Sequence, residues 1–287
     1  MELRGKRILV TGASSGIGHA LARELAEQGA VVAVAGRNVR RLEELADEIA
    51  AAGSVRPVVL TADLSERGSA DSLATRATAA LGTVDVLINN AAVEGVGAYC
   101  TAGDDDESRE LFETNYWSPM MLIRTLVRDM RSRRTGAIVN VSSLGAITPI
   151  SGTGHYPSSK AALAVATETL RSELRGSGVH VVLVYPGFVD TPMLRAFEAR
   201  ADLPSRTRRS LSMMPVGKPD ALARLVVKAL RRGRGTVVYP RSYALTPLVP
   251  AVSRRVTNLL FGSAGSMGCR WTSLHRSRCC ATGTPAV

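Results

Sequence analysis

A tyrosine and a lysine four residues apart, Tyr156 and Lys160, have the types and spacing for acid/base chemistry. At this spacing on a helix the two side chains lie on one face. A free phenol has a pKa of about 10, which is too high for efficient proton transfer at neutral pH. A neighbouring ammonium favours the phenolate, so we expect Lys160 to lower the pKa of Tyr156. The chain has only 4 lysines and 32 arginines, so chance would rarely place a lysine at this position.

Two serines, Ser142 and Ser143, end the apolar segment 138–141 and could bind a substrate oxygen. Ser143 lies 13 residues before Tyr156. In a doubly wound sheet the end of a strand and the start of the next helix both face the ligand cleft, so a hydroxyl at this point can hold a carbonyl oxygen beside the phenol. The alternative is a turn or capping role. We favour Ser143 for the chemistry and assign Ser142 a supporting position.

A glycine-rich segment, 11–18, follows an apolar strand and precedes a helix. Free backbone N–H groups and the dipole at a helix N-terminus bind anions, and glycines let the chain turn tightly and approach a ligand closely. The spacing is G-x-x-x-G-x-G rather than the commoner G-x-G-x-x-G, and an ordinary loop is the alternative. The candidate phosphate contacts are Gly12, Ser14, Ser15, Gly16, Ile17 and Gly18.

A strand, a glycine-rich turn and a helix in this order are typical of dinucleotide-binding sites, and the end of the second apolar strand predicts which dinucleotide such a site prefers. An enzyme that prefers NAD is expected to place an acid here for the ribose 2′-hydroxyl. This chain has Gly36 followed by Arg37. A guanidinium binds a 2′-phosphate, often through two hydrogen bonds, whereas a carboxylate repels it. Arg37 therefore predicts NADP(H), with NAD(H) the less favoured cofactor; a surface arginine at the start of a helix is the other interpretation.

The elements that position these residues alternate between short apolar strands and longer helices, which predicts an α/β fold with a doubly wound, Rossmann-like parallel sheet. The strands are rich in Val, Ile and Leu with little polar alternation, as expected when both faces of the sheet are covered. Strands are predicted at 7–11, 30–35, 55–61, 84–88, 137–141, 180–184 and 236–239, and helices at 16–28, 39–52, 66–81, 107–134, 156–175 and 219–231.

The 287 residues are enough for one large α/β domain. We expect residues 1–240 to form a single dinucleotide-binding catalytic domain, with a substrate lid at about 190–214, where polar and basic residues show little periodicity. Residues 241–261 are predicted to form an amphipathic C-terminal extension, since 246–261 is apolar with two central arginines. Residues 262–287, rich in Gly, Ser, Thr, Arg and Cys, are predicted to be a disordered tail.

The motifs together resemble the classical short-chain dehydrogenase/reductase family, over about residues 5–240. The resemblance rests on Thr-Gly-x-x-x-Gly-x-Gly at the first strand–helix turn and on Ser…Tyr-x-x-x-Lys. It implies that Tyr156 donates or accepts the substrate proton, that Lys160 binds the nicotinamide ribose, and that Ser143 orients the substrate. It also implies that Asn115 is a fourth catalytic residue, which kinks its helix and helps to hold a proton-relaying water.

The same resemblance implies cofactor contacts at three further strand ends. An aspartate after the third strand would contact the adenine, although Asp is also common in turns and caps. Segment 89–92 is similar to the family's Asn-Asn-Ala-Gly, with Ala92 in place of the glycine, and segment 186–191 resembles one that contacts the nicotinamide amide and a phosphate. The residues assigned to these contacts are Asp63, Leu64, Asn89, Ala91, Pro186, Gly187, Val189 and Thr191.

Composition argues against several other classes of protein. The four cysteines, three of them after residue 268, do not form the spaced framework of a disulfide-rich secreted domain. No Cys/His pattern predicts a metal site. No run of about 18 apolar residues predicts a transmembrane helix. The N-terminus lacks a signal-peptide pattern, and a cytoplasmic location is expected.

The net charge of +11 is concentrated at the C-terminal end, where residues 195–287 hold 17 Lys/Arg and 3 Asp/Glu. A basic region attracts anionic ligands, nucleic acid or acidic membrane. Aromatic residues are not interleaved there, so nucleic-acid binding is not predicted. A solvated basic surface is the simplest interpretation, and weak contact of the basic, partly apolar C-terminal segment with a membrane surface is a further hypothesis.

The predicted function is hydride transfer between NADP(H) and a carbonyl or secondary-alcohol carbon. A non-catalytic NADP(H)-binding regulator on the same fold is the alternative, but it would be expected to lose part of the four-residue centre. An epimerase or dehydratase would need a longer chain with a larger substrate domain, and a serine hydrolase would need a G-x-S-x-G motif. The resemblance also implies a homo-oligomer, a dimer or a tetramer, formed through the helices near 107–134 and 155–176.

The lid offers two interpretations of the substrate. Its apolar residues suggest a lipophilic carbonyl compound, or they simply pack the lid: Met193, Leu194, Phe197, Leu203, Leu211, Met213 and Met214. Three arginines, Arg206, Arg208 and Arg209, would instead suit an anionic carrier such as an acyl thioester. A fold and its chemistry do not fix a substrate, so both remain open at this point.

Overall fold

Seven parallel strands form the sheet in the part of the chain that our computed structural model describes, residues 1–95, 103, 105–150, 152–200 and 205–261. The strands are β1 (Arg7–Thr11), β2 (Val31–Gly36), β3 (Val58–Thr61), β4 (Val86–Asn89), β5 (Gly136–Val141), β6 (Val179–Pro186) and β7 (Thr236–Tyr239). Their order is β3-β2-β1-β4-β5-β6-β7. The order reverses between β1 and β4, and sheets of this kind bind ligands at the carboxyl ends of the strands beside such a reversal.

Helices cover both faces of this sheet, which confirms the predicted α/β, doubly wound, single-domain fold. They are α1 (Gly16–Glu27), α2 (Val39–Ala51), α3 (Ser69–Leu81), α4 (Asp106–Phe112), α5 (Ser118–Ser132), α6 (Tyr156–Glu173), α7 (Pro192–Glu198), α8 (Ser205–Ser212), α9 (Pro219–Arg232) and α10 (Pro250–Phe261). Local signals set several of their ends. The Asn38 side chain accepts a hydrogen bond from the Arg41 N–H and caps α2, and Gly233 ends α9 in a left-handed conformation.

The core has two layers because successive strand residues point to opposite faces of the sheet. In β1, Ile8 and Val10 belong to the layer that packs against α1, α2 and α9, whereas Leu9 belongs to the layer that packs against α3 and α5. All three side chains are fully buried. Burial of a leucine or isoleucine of this kind contributes roughly 2 kcal/mol, so the two layers hold the strand ends in a fixed arrangement around the crevice.

Two predicted segments differ from the structure. The single helix predicted at 107–134 is divided by a π-helical segment, Glu113–Trp117, between α4 and α5. Such segments are often found at functional sites. The lid segment 190–214, in which no helix was predicted, contains the short helices α7 and α8. A capping signal precedes α7, because the Thr191 side chain accepts a hydrogen bond from the Leu194 N–H.

The predicted C-terminal helix begins later than expected, at Pro250, and ends at Phe261. Among the described helices, none is both long and apolar enough to cross a membrane. The predicted disordered tail, 262–287, and the lid residue Leu203 lie outside the described residues. The side chain of Arg206 also lies outside the description.

Candidate active site

The glycine-rich loop between β1 and α1 is shaped by close contacts between backbones. Gly12 and Gly16 adopt φ angles of +66° and +55°, in the left-handed region that favours glycine. A Cβ on Gly12 would lie 2.6 Å from Ala91 Cα, and a Cβ on Gly18 would lie 2.3 Å from the Gly12 carbonyl oxygen. The loop therefore requires glycine at both positions, and it presents its backbone to the space above the sheet.

Two polar side chains tie this loop to the end of β4. The Thr11 hydroxyl accepts hydrogen bonds from the backbone N–H groups of Asn90 (3.0 Å) and Ala91 (3.1 Å). In return, Asn90 Nδ2 donates to the carbonyl oxygens of Thr11 (3.0 Å) and Gly12 (3.2 Å). The loops after β1 and β4 thus form one rigid wall, and Asn90 is a member of it that the sequence analysis did not assign.

The neighbouring Asn89, which was predicted to contact the cofactor, lies behind this wall. It is 3% exposed, and its Nδ2 donates to Asn140 Oδ1 at 2.8 Å. Asn140 Nδ2 in turn donates to the Thr167 hydroxyl at 2.8 Å. The structure therefore places Asn89 in a polar chain that joins β4, β5 and α6, and Asn90 on the cavity side.

A cavity of about 650 Å³ lies above the carboxyl ends of the strands. Its walls include 15 of the predicted catalytic and cofactor-binding residues, together with Lys160, which is described below. These residues are Gly12, Ser14, Ser15, Gly16, Ile17, Arg37, Asp63, Leu64, Ala91, Ser143, Tyr156, Pro186, Gly187, Val189 and Thr191. Gly18, Asn89 and Asn115 do not line it and act from behind the wall.

Arg37 and Asp63 lie at the end of the cavity formed by β2 and β3. The distance from Arg37 Nη1 to Asp63 Oδ2 is 3.8 Å, and the Arg37 side chain is 62% exposed. Although burial raises the pKa of Asp63, hydrogen bonds from the Ser65 N–H and hydroxyl and the charge of Arg37 hold it below its usual value. An exposed guanidinium beside an ionised carboxylate can turn toward an added phosphate, because the pair gains little from its own contact.

The Ser143, Tyr156 and Lys160 side chains meet at the other end of the cavity. The Tyr156 and Ser143 side chains line the same part of the cavity, where Ser143 Oγ accepts a hydrogen bond from the Gly145 N–H at 3.0 Å. Lys160 Nζ donates to the Val141 carbonyl oxygen at 2.9 Å and lies 6.0 Å from the centre of the Tyr156 ring. The predicted juxtaposition of the three side chains is thus present.

Burial dominates the acid/base properties of this pair. Desolvation raises the pKa of Tyr156 to about 12, against a lowering by the Ser143 hydrogen bond and with a further rise from the negative charge of Glu94. Desolvation also lowers the pKa of Lys160 to about 7. Both groups therefore favour their neutral forms, and the expected lowering of the Tyr156 pKa requires a protonated Lys160 or another positive charge beside the phenol.

Ser142, which lines the cavity, and Asn115, which does not, hold the segments around the pair in place. The Ser142 hydroxyl donates to the Lys160 carbonyl oxygen at 2.8 Å, within the first turns of α6. Asn115, in the π-helical segment, is fully buried; its Oδ1 accepts from the Val93 N–H (2.9 Å), and its Nδ2 donates to the Val93 carbonyl (2.9 Å) and to the Ser159 hydroxyl (3.1 Å). Asn115 therefore fixes the loop after β4 against α6, the helix that carries the Tyr/Lys pair.

The segment after β6 closes the cavity above the glycine-rich loop. A Cβ on Gly16 would lie 3.0 Å from Thr191 Cγ2, so the two segments are in contact. Val189 is 3% exposed and pairs with Gly217 in an isolated parallel bridge. Val189 and Thr191, which were predicted to contact the cofactor, are thus fixed in position next to the glycine-rich loop.

The far end of the cavity is largely apolar and is completed by residues that the sequence analysis did not assign. They come from α10, from the loop before α6 and from the turn before α10, and they include Ile150, Tyr243, Val252, Val256, Leu260 and Phe261. Glu94 also lines the cavity and is acidic. Burial raises the pKa of Glu94 above its ordinary value, and the charge of Arg200 offsets part of that rise. Only the amphipathic pattern of 246–261 could have indicated α10, and nothing local indicates that it reaches the cavity.

Among the described residues, no group of three or more His, Cys, Asp or Glu side chains could hold a metal ion. The three arginines weighed as an anion site also do not face the cavity where they are described. Arg208 and Arg209 are exposed on α8, and Arg208 Nη2 donates to the Arg200 carbonyl oxygen.

Comparison with known proteins gives a consistent set of relatives. A family model described as short chain dehydrogenase matches residues 6–202. A short chain dehydrogenase of Pseudocercospora fijiensis is 37% identical over 193 residues, which are 67% of this chain and 62%, less than two thirds, of that protein. The ketoacyl reductase HetN of a Nostoc species is 32% identical over 255 residues, 88% of this chain and 85% of that protein.

Solved structures show the same likeness. The L-sorbose reductase of Gluconobacter frateurii, complexed with NADPH and L-sorbose, has a TM-score of 0.74 and 27% identity over 83% of this chain and 96% of that one. A short chain dehydrogenase/reductase of Burkholderia phymatum, in complex with NAD, has a TM-score of 0.75 and 27% identity over 90% of this chain and 95% of that one. These neighbours bind nicotinamide cofactors of both kinds.

Proposed function

Because the chain belongs to the short chain dehydrogenase family, whose members are oxidoreductases that act on hydroxyl and carbonyl groups, we propose that it transfers a hydride between NADP(H) and a carbonyl or secondary-alcohol carbon, with Tyr156 as the acid/base. One observation carries the proposal: Ser143, Tyr156 and Lys160 meet in the same cavity as a glycine-rich loop at a helix N-terminus. A dinucleotide can span these two ends, and residues 1–240 with the lid at 190–214 would form the catalytic unit.

The residues present fit a dinucleotide. Gly12, Ser15 and Gly16 line the cavity, so the loop backbone at the start of α1 is open to an anion, and there the free N–H groups and the helix dipole favour negative charge. At the far end, the exposed guanidinium of Arg37 can pair with a 2′-phosphate. A bound nicotinamide would supply or accept the hydride. Arg37, rather than an acid, supports NADP(H) over NAD(H).

Tyr156 is suited to give a proton to a carbonyl oxygen when the carbon is reduced, and to take it back in the reverse direction. The Ser143 hydroxyl lines the cavity beside the Tyr156 ring, so a substrate oxygen placed between the two hydroxyls would be held by two donors. Lys160 stands behind the phenol, and a proton on its Nζ would stabilise the phenolate left after transfer. Asn115 and Ser142 hold the two flanking segments in place.

The cavity lining supports a lipophilic substrate over an anionic carrier. The substrate end is formed largely by aliphatic and aromatic side chains, including Leu194, Phe197 and Met214, and apolar walls of this kind bind ring or chain compounds by excluding water. Arg208 and Arg209 are directed to solvent instead. A homo-oligomer formed through α5 and α6 remains part of the proposal, and the non-catalytic regulator is the second candidate.

The test is titration of the purified protein with NADPH and NADH, followed by nicotinamide fluorescence. We expect NADPH to bind more tightly than NADH, and Arg37→Glu to remove that preference. Arg67→Glu is the matched control, since Arg67 is exposed near the same end but does not line the cavity. Equal affinity of the wild type for both cofactors would refute the NADP(H) assignment. A carbonyl-compound screen follows, in which Tyr156→Phe should be inactive but still bind NADPH; activity in that variant would refute the role of Tyr156.

A further inference from the structure

The last described helix, α10, exposes a row of apolar side chains. Ser253, Thr257, Leu260 and Phe261 line the cavity. On the neighbouring face, Val252 and Val256, which also line the cavity, and Leu259 are 59%, 52% and 74% exposed. At spacings of four and three residues, these three side chains form one outward stripe. A helix that packs on a globular protein normally directs its apolar stripe inward, so an exposed apolar stripe of this kind is unusual for a surface in contact with water.

The turn before α10 extends the stripe. Leu245, Leu248 and Val249 are 68%, 74% and 45% exposed. We call these three residues and the outer stripe of α10 the α10 patch: Leu245, Leu248, Val249, Val252, Val256 and Leu259. Eight of the twelve large apolar side chains that are exposed in the described residues lie between 213 and 259. Single exposed apolar residues are ordinary, but a contiguous set of this size marks an interaction surface.

The charged side chains of the segment that carries the patch are all basic. Arg241, Arg254 and Arg255 are exposed in this segment, and Arg254 Nε donates a hydrogen bond to the Ile147 carbonyl oxygen at 2.9 Å. Residues 221–287 contain 11 Lys/Arg and no Asp or Glu. Aliphatic side chains flanked by arginines, without acids, are the composition of segments that lie in the interface of anionic membranes.

The patch also borders the cavity. Val252 and Val256 belong both to the exposed stripe and to the cavity wall, so one helix separates the apolar end of the cavity from the surface. A surface that holds the patch would therefore lie directly against the substrate end of the site. For a lipophilic substrate, that surface would be the phase in which the substrate is dissolved.

We propose that the α10 patch docks on an anionic membrane surface and places the apolar end of the cavity against the bilayer. The docking rests on the patch alone; its use for substrate supply rests on the function proposed above. Two other occupants meet a like-charge penalty. A second copy joined through the same patch would bring arginines of both copies, and no acidic side chain of residues 221–261, into one interface. The segment 262–287 carries three further arginines and no acid, and it would be repelled in the same way.

The experiment measures binding of the full chain to sedimented vesicles of phosphatidylcholine alone and of phosphatidylcholine mixed with phosphatidylglycerol. We expect binding to the mixed vesicles, weakened by salt, and little binding to phosphatidylcholine alone. Leu248→Glu should reduce binding to the mixed vesicles at least tenfold. Val55→Glu is the matched control, since Val55 is 60% exposed in the loop before β3 and the charge change is the same; it should bind like the wild type.

NADPH titration of each variant separates this proposal from the proposed function, because neither Leu248 nor Val55 lines the cavity and both variants should keep the wild-type affinity. Absence of wild-type binding to mixed vesicles would overturn the docking. Equal binding by Leu248→Glu would overturn it too, since another basic part of the chain would then be responsible. If Leu248→Glu instead lowers the mass measured by light scattering, the patch joins copies of this chain and the membrane proposal is wrong.

Discussion

The buried lysine of the active site should leave a measurable signature in the pH dependence of stability. Lys160 is 2% exposed, and desolvation lowers its pKa from 10.5 to about 7. Above about pH 7 the Lys160 amine is neutral in the folded protein, whereas in the unfolded chain it stays protonated up to its ordinary pKa of 10.5. The unfolded state therefore binds more protons across this window, and stability rises with pH. With each pKa unit equivalent to about 1.4 kcal/mol, the rise between about pH 7 and about pH 9 is about 2 kcal/mol.

The assay compares urea unfolding of the wild type and of Lys160→Met across that range. Replacement of the ammonium by an apolar chain of similar length removes the titration, so the free energy of unfolding of the variant should rise about 2 kcal/mol less than that of the wild type. Lys218→Met is the control, because Lys218 is exposed, and it should follow the wild type. Parallel pH profiles for wild type and Lys160→Met would refute the inference that Lys160 is neutral in the folded protein above its lowered pKa.

Three further predictions concern the walls of the site. Gly18→Ala should destabilise the protein by about 1–3 kcal/mol in thermal unfolding and weaken NADPH binding at least tenfold, since its Cβ would lie 2.3 Å from the Gly12 carbonyl oxygen; wild-type affinity would contradict this. Asn115→Ala should cost about 1–3 kcal/mol in urea unfolding, because the Val93 N–H and carbonyl lose their partner. Glu94→Gln should move the basic limb of the pH–rate profile to lower pH, because it removes a charge that raises the pKa of Tyr156; an unmoved limb would argue against that coupling.

Much of the fold could be predicted because its determinants are local. The inner strands of a parallel sheet are covered on both faces, so β1, β5 and β6 are continuous apolar runs in the sequence. The glycine-rich loop could be located for the same reason, since its conformation depends on glycines within eight residues. Predicted strand and helix ends mostly lie within three residues of the observed ones.

The remaining features depend on contacts between distant segments. The π-helical segment holds Asn115 against Val93, 22 residues away in sequence, and no helical period reveals such a contact. Helix α8 has weak periodicity, and part of its support comes from α10, where the Leu260 carbonyl accepts a hydrogen bond from the Ser210 hydroxyl, 50 residues away. In the Asn-Asn pair, only the three-dimensional arrangement distinguishes Asn90, on the cavity wall, from Asn89, in the polar chain behind it.

The strand order has a consequence for how the protein is made. Strands β1, β2 and β3 pair side by side, and β4 then pairs with β1, while every later strand adds to the one synthesised just before it. During translation, each strand that leaves the ribosome therefore finds a pairing partner that has already been synthesised. The strands that carry the glycine-rich half of the cavity, β1 to β4, are therefore all synthesised before α6, which carries Tyr156.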